Sequence, residues 1–185
     1  MVSSTQTTNP CRFARFKWAL ASLVLIQLAY VDSAEAVPAP NLEGCLNLQV
    51  PAGNEVAYHT YAEGVQIYRW NGASWSFVGP EADLYANAGG NGLVGTHYAG
   101  PTWESNSGSK VVGTVLERCT PDATAIPWLL LKAVSNEGPG VFARITYIQR
   151  LNTVGGIAPT SAGNFMDEEA RVPYSAEYYF YRAHQ

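Results

Sequence analysis

From residue 55 onward the side chains of this chain alternate in character at every second position, and Gly or Pro breaks each run after a few residues. A period of two is the geometry of a half-buried strand; a helix would need apolar residues at three- and four-residue spacing. Residues 46–50, "LNLQV", put Leu46, Leu48 and Val50 on one face, and 55–62, "EVAYHTYA", set Val56, Tyr58 and Thr60 against Ala57, His59 and Tyr61. Residues 65–78, "VQIYRWNGASWSFV", read as a hairpin turning at Asn71-Gly72, a dipeptide that accepts the positive φ of a tight turn. Further strands are expected at 111–118, 128–134, 141–151 and 176–182, with one short helix near 82–88. "PWLLLKAV", 127–134, has helix-favouring residues, but its flanking prolines and glycines and its short length make it a buried strand. The expected fold is all-β: a single-domain β-sandwich or barrel of about eight to nine short antiparallel strands with at most one or two short helices.

The first 36 residues read as an address. Arg12, Arg15 and Lys17 precede an apolar run from Trp18 to Val31, and Ala34-Glu35-Ala36 offers a signal peptidase its small residues. The run of about 14 residues falls short of the roughly 20 that span a bilayer. The expectation is a signal peptide over 1–36 cleaved after Ala36, an extended Pro-spaced lead-in over 37–44, and one domain over 45–185. Localisation would then be secreted or periplasmic.

The whole chain carries 11 basic and 15 acidic residues for a net charge of −4, and losing the leader makes the remainder one unit more acidic. No run of clustered Lys and Arg remains, which argues against nucleic acid or an anionic membrane as partner. Cleavage leaves Cys45 and Cys119. In an oxidising compartment two such thiols are expected to form a disulfide, closing a loop of about 75 residues worth on the order of 4 kcal/mol in the chain-entropy model. Two Cys without a C-x-x-C spacing make no zinc cage, so no metal is expected.

Residues 90–95, "GNGLVG", match the dinucleotide-binding spacing G-x-G-x-x-G. That spacing works only between a strand and a helix whose free amides hold a pyrophosphate. Here "THYAGP" follows, and Pro101 between a glycine and a threonine cannot open such a helix. The stretch is a turn, no cofactor is expected, and the chain is not a dehydrogenase.

Two clusters remain as candidate sites. In "GTHYAGPTWE", 95–104, His97 and Glu104 could act as an acid–base pair, and Trp103 could offer a flat apolar face to a ligand. The competing reading is a loop packed by its own aromatics, and Trp103 is expected to be partly buried with one ring face open beside His97 and Glu104. In "QRLNTVGG", 149–156, Arg150 and Asn152 are expected at a sheet rim, where a guanidinium suits a carboxylate or a sugar hydroxyl, or pairs structurally with Glu177. His59 reads as a hydrogen-bonded histidine in the wall. "AEYYFYR" leaves Tyr179 and Tyr181 on the face nearer solvent, and one of Trp70 and Trp75 is expected to be buried.

"VPAGNEVAYHTYAEGVQIYRWNG", "VGTHYAGPTWES", "IPWLLLKA" and "YIQRLNTVGGIAPT…VPYSAEYYFYRA" occur in this order from about Leu46 to Ala183. Together they resemble the exported domain of unknown function 3455 family, with members in bacteria, fungi and plants. The resemblance implies export, one β-rich domain and no assigned activity. Some fungal relatives are mislabelled malate dehydrogenase, which no residue pattern here supports. Some relatives carry a further Cys just beyond the position of Pro159, where this chain has Thr160 and Ser161. The pairing of Cys45 with Cys119 therefore rests on compartment alone.

The function expected from sequence is non-catalytic binding of an extracellular or cell-wall ligand, with carbohydrate the class favoured, through His97, Trp103, Glu104, Arg150 and Asn152. The alternatives are a secreted hydrolase using His97 and Glu104, or a structural or stress-related surface protein.

Overall fold

The computed structural model describes residues 1–5 and 37–184, so the expected leader and its cleavage after Ala36 lie outside the described residues. Eight strands close into one barrel: β1 (Asn54–Trp70), β2 (Trp75–Tyr85), β3 (Leu93–Tyr98), β4 (Thr102–Ser105), β5 (Lys110–Cys119), β6 (Trp128–Glu137), β7 (Ile145–Gly155) and β8 (Glu169–Ala183). Each strand pairs antiparallel with the next in chain order, and β8 returns to pair with β1. The all-β expectation holds, and the barrel is the one of its two forms that is built. The strands are not uniformly short, since β1 has 17 residues and β8 has 15. Strands that tilt around a barrel must be long to keep both neighbours.

The period-two pattern gives the wall two faces. Ala62, Ala82, Leu84, Trp103, Val111, Leu129, Leu131, Ile148, Tyr178 and Phe180 pack together inside. At two corners the wall bends so sharply that neighbouring backbones touch. A Cβ on Gly64 would collide with the Glu81 carbonyl, and one on Gly95 with that of Glu104. The hairpin at Asn71-Gly72 forms as read, with Trp70 opposite Trp75, the Asn71 amide bonded to the Ser74 carbonyl, and Gly72 at φ +90°.

A second apolar layer lies outside the barrel. Residues 46–50 are not a strand: Leu46–Leu48 form a single 3-10 turn, with Leu48 buried and Leu46 exposed. A closed barrel offers no free edge for a further strand, so this segment lies across the outer face instead. There Cys45 and Leu48 cover Trp128, Leu130, Leu151, Tyr179 and Tyr181. The Cys45–Cys119 disulfide ties the segment to the end of β5, with Cα atoms 5.8 Å apart. Gln149 donates to the Leu48 carbonyl at 2.7 Å and accepts from the Tyr181 hydroxyl at 2.6 Å. Tyr179 and Tyr181, expected nearer solvent, are therefore buried. This is also why "WLLL" is apolar at every position: Leu129 and Leu131 face in, Trp128 and Leu130 face out, and both faces are covered.

The helix expected near 82–88 does not form. Residues 82–85 continue β2, because Ala82 and Leu84 fill the interior and both neighbouring strands take up their backbone groups. The chain then turns, closed by the Ala86 amide on the Gly92 carbonyl.

Candidate functional site

The two ends of the barrel differ. At the end where β6 turns into β7, Phe142 inserts its ring against Tyr58 and Phe180, with centroids 6.0 and 4.7 Å away, and its amide is held by the Ser109 hydroxyl. That end is plugged. Toward the other end no such plug is set, and Gly113 on β5 leaves its place to Trp103 and Leu131. Side chains from all eight strands border about 340 Å³ there, in the range of small-molecule sites. Phe77, Val78, Pro101 and Arg118 stand at the mouth. Leu129, Leu131, Val115 and Ile126 make the apolar walls, and Gln66, His97, Trp103, Arg150 and Tyr178 supply polar groups.

The stretch 95–104 contributes to this interior, but not as expected. Facing positions across β2 to β5 run Ala82, His97, Trp103 and Val111, and alternation turns all four inward. Trp103 is 1% exposed and stacks on His97, with ring centroids 4.4 Å apart and planes 9° from parallel. The ring face expected to be open is covered. Glu104, one position on, points out, accepting from the Tyr98 hydroxyl at 2.6 Å and pairing with Lys110 at 3.6 Å. Its carboxyl is held below the usual range, chiefly by the Tyr98 hydrogen bond. The sheet thus separates His97 from Glu104, and no acid–base pair is assembled. His97 Nδ1 donates to the Thr102 carbonyl at 2.8 Å, which fixes the tautomer and leaves the lone pair on Nε2. Burial, reinforced by the Arg150 charge and opposed by the Thr102 hydrogen bond, takes the ring down to about 3.

Arg150 and Asn152 separate as well. Arg150 sits opposite Leu129 and Tyr178, both interior residues, so its side chain enters the barrel and does not lie on a rim. Its Nε and Nη2 both donate to the Pro127 carbonyl, at 3.2 and 2.8 Å. Glu177, the acid considered as its partner, faces out and is taken by His59, Tyr179 and Asn152, each at 2.9 Å. Asn152 occupies a bulge between Leu151 and Val154 at φ +50°, a conformation Asn tolerates, and its role is to hold Glu177. His59 is the hydrogen-bonded wall histidine expected, stacked on Tyr179. Trp70 and Trp75 are both half-buried, and Trp75 donates to the Ser161 carbonyl.

Sequence reading missed Gln66, Tyr68, Tyr174 and Tyr178. The inward face of β1 carries Thr60, Ala62, Gly64, Gln66 and Tyr68, a mix of small and polar residues unlike a packed core. That mix was the available signal. Among the described residues, Gln66 Nε2, Trp103 Nε1 and the Tyr174 and Tyr178 hydroxyls are buried with no hydrogen-bond partner. Buried polar groups are seldom left so. Burial raises the Tyr174 and Tyr178 hydroxyls, and the Arg150 charge close by pulls against it in both.

The family model described as protein of unknown function (DUF3455) matches residues 51–182, nearly the whole barrel. No curated protein and no solved structure matches the chain.

Proposed function

The chain belongs to the DUF3455 family, and on that premise we propose that it is a non-catalytic binding protein that holds one small molecule inside its barrel. The observation that carries this reading is the cavity itself. About 340 Å³ is enclosed beside buried donors that have no partner in the protein. An eight-stranded barrel has an interior of the width that holds one small ligand where side chains do not fill it.

The ligand favoured is apolar over most of its surface. Leu129, Leu131, Val115 and Ile126 offer nothing to the hydroxyls of a sugar, and burying hydroxyls without partners costs several kcal/mol. The surface aromatics that favoured carbohydrate in the sequence are themselves packed, which supports moving the site inward. The separation of His97 from Glu104 favours binding over hydrolysis. The Cys45–Cys119 bridge supports an oxidising, extracytoplasmic location. Glu63, Glu81, Asp83 and Lys132 on the outer wall would be costly against lipid and support a barrel standing in water.

The test is a fluorescence titration with the neutral apolar probe N-phenyl-1-naphthylamine. One saturable site per chain is expected, abolished by Val115→Trp, which fills the cavity, with the melting temperature retained to show that the barrel still folds. Uptake that does not saturate, or that survives the filling variant unchanged, would overturn the reading.

A further inference from the structure

Among the described residues, Arg150 is the one charged side chain that lines the cavity behind its mouth, and no acid in the wall balances it. Its Nε and one Nη2 proton are spent on the Pro127 carbonyl, which also fixes the plane of the guanidinium. That leaves the end of the fork, Nη1 together with the second Nη2 proton, with no acid to meet and the Tyr178 hydroxyl close by. Among the described residues Arg150 makes no ion pair, and no Asp or Glu lines the cavity. The titratable groups that face it across the barrel interior are His97 of β3, Tyr68 of β1, and Tyr174 and Tyr178 of β8, all neutral at pH 7. Arg118, at the mouth, adds a second positive charge.

We infer that the ligand carries a single carboxylate on an apolar body, and that this carboxylate docks on the free end of the Arg150 fork beside Tyr178, Gln66 and Trp103. The inference rests on the barrel-binding reading above and names the chemistry of that site. A guanidinium fork matches the two oxygens of a carboxylate in plane, and a carboxylate accepts about four hydrogen bonds. Two can come from Arg150. The Trp103 indole N–H, the Gln66 amide and the Tyr178 hydroxyl are donors of the kind needed for the rest. A single fixed cation suits a monoanion. A phosphate dianion would want more charge and less hydrocarbon than Val115, Ile126, Leu129 and Leu131 provide. A carboxylate at this place would meet both a cation with no acid beside it and buried donors with no partner in the protein. The apolar tail would then lie along the Leu129 and Leu131 side of the cavity toward Phe77 and Val78 at the mouth.

Decanoate and decan-1-ol, equal in chain length, test this by displacement of N-phenyl-1-naphthylamine at pH 7. Decanoate is expected to bind about ten- to a hundredfold more tightly, the span of a charge-assisted hydrogen-bond pair. Arg150→Gln should bring the two to within about twofold of each other. Arg150→Lys, which keeps the charge and loses the fork, should recover only part of the preference. Probe binding by both variants reports that the barrel remains folded. If acid and alcohol bind equally while the probe still enters, the carboxylate assignment fails and the barrel site stands. If neither compound nor the probe binds, the barrel reading itself fails. Displacement of decanoate by inorganic phosphate at similar concentration would overturn the assignment in favour of a plain anion hole.

Discussion

His97 and Trp103 lie ring on ring inside the barrel, 4.4 Å apart, on facing positions of β3 and β4. Tyr178 meets both edge-on, at 5.0 and 5.3 Å, so three aromatic side chains from three strands form one unit in the floor of the cavity. The same pairing that joins His97 to Trp103 sends Glu104 to the opposite face. Burying this unit has costs and gains that can be measured.

Trp103→Ala should destabilise the protein by roughly 3–5 kcal/mol, the usual range for truncating an enclosed large aromatic. Trp103→Phe, which keeps most of the stacking area, should cost clearly less. Urea unfolding of both variants checks the ordering. Equal, near-zero costs would mean that the ring is not packed as described.

His97 makes stability depend on pH in a defined direction. Its folded value of about 3 lies below the 6.5 of a free imidazole. Between those values the unfolded chain binds the proton and the folded chain does not, so stability rises with pH. The contribution is complete above about pH 6.5 and is lost as pH falls toward 3, with a slope of at most about 1.4 kcal/mol per pH unit. His97→Gln should flatten the dependence of the urea midpoint between pH 4 and 7. A residual slope of the same sign is expected from His59, which burial also lowers against the opposing pull of Glu177. An unchanged slope in His97→Gln would show that the ring is not held neutral.

Phe142→Ala should open the plugged end. The loss of a fully buried ring that touches Tyr58 and Phe180 is expected to cost about 3–5 kcal/mol. Entry and release of N-phenyl-1-naphthylamine should also become faster, because the cavity would gain a second door. Stopped-flow traces that match the wild type would show that the plug does not control access.

Reducing the disulfide, or replacing it in Cys45→Ser/Cys119→Ser, should remove on the order of 4 kcal/mol by the loop-entropy argument for a 74-residue separation. The far-UV circular dichroism should remain that of a β protein, since the bridge ties down the outer layer and takes no part in the eight-strand ladder. Loss of the β spectrum on reduction at 25 °C would contradict that division.

The strand content was legible because alternation is a local signal: 65–78 reads as a hairpin, and 128–134 as a strand buried on both sides. The barrel's closure was not. Whether β1 meets β8 depends on contacts between the extremes of the domain, which no window of sequence contains. The outer layer was hidden for a related reason. "AEYYFYR" and "YIQRLN" place apolar residues on both faces, and choosing the interior face requires knowing that Cys45 and Leu48 cover the other. Arg150 illustrates the consequence. A lone cation beside a Gly-Gly turn reads as a rim residue, yet it shares a face with Ile148, a core residue. The bulge that displaces Asn152 begins one residue later, so two neighbours in the same motif have unrelated surroundings.

The pairing of β8 with both β1 and β7 also sets the order of assembly. Tyr174, Tyr178 and Phe180 form one side of the barrel interior, Tyr178 in the cavity wall, and they arrive on the strand whose partner β1 is nearly a whole domain away in sequence. Closing so large a loop is entropically slow, and barrels dominated by such contacts fold over milliseconds to seconds. Until β8 docks there is no pocket to occupy, and β1 and β7 each present a bare edge to any neighbouring chain. Cys45 and Cys119 both precede β8 in the chain, so their bond can form beforehand on an unfinished wall. A molecule that binds the finished cavity would therefore act as a latch on the last stave, slowing its departure far more than its arrival.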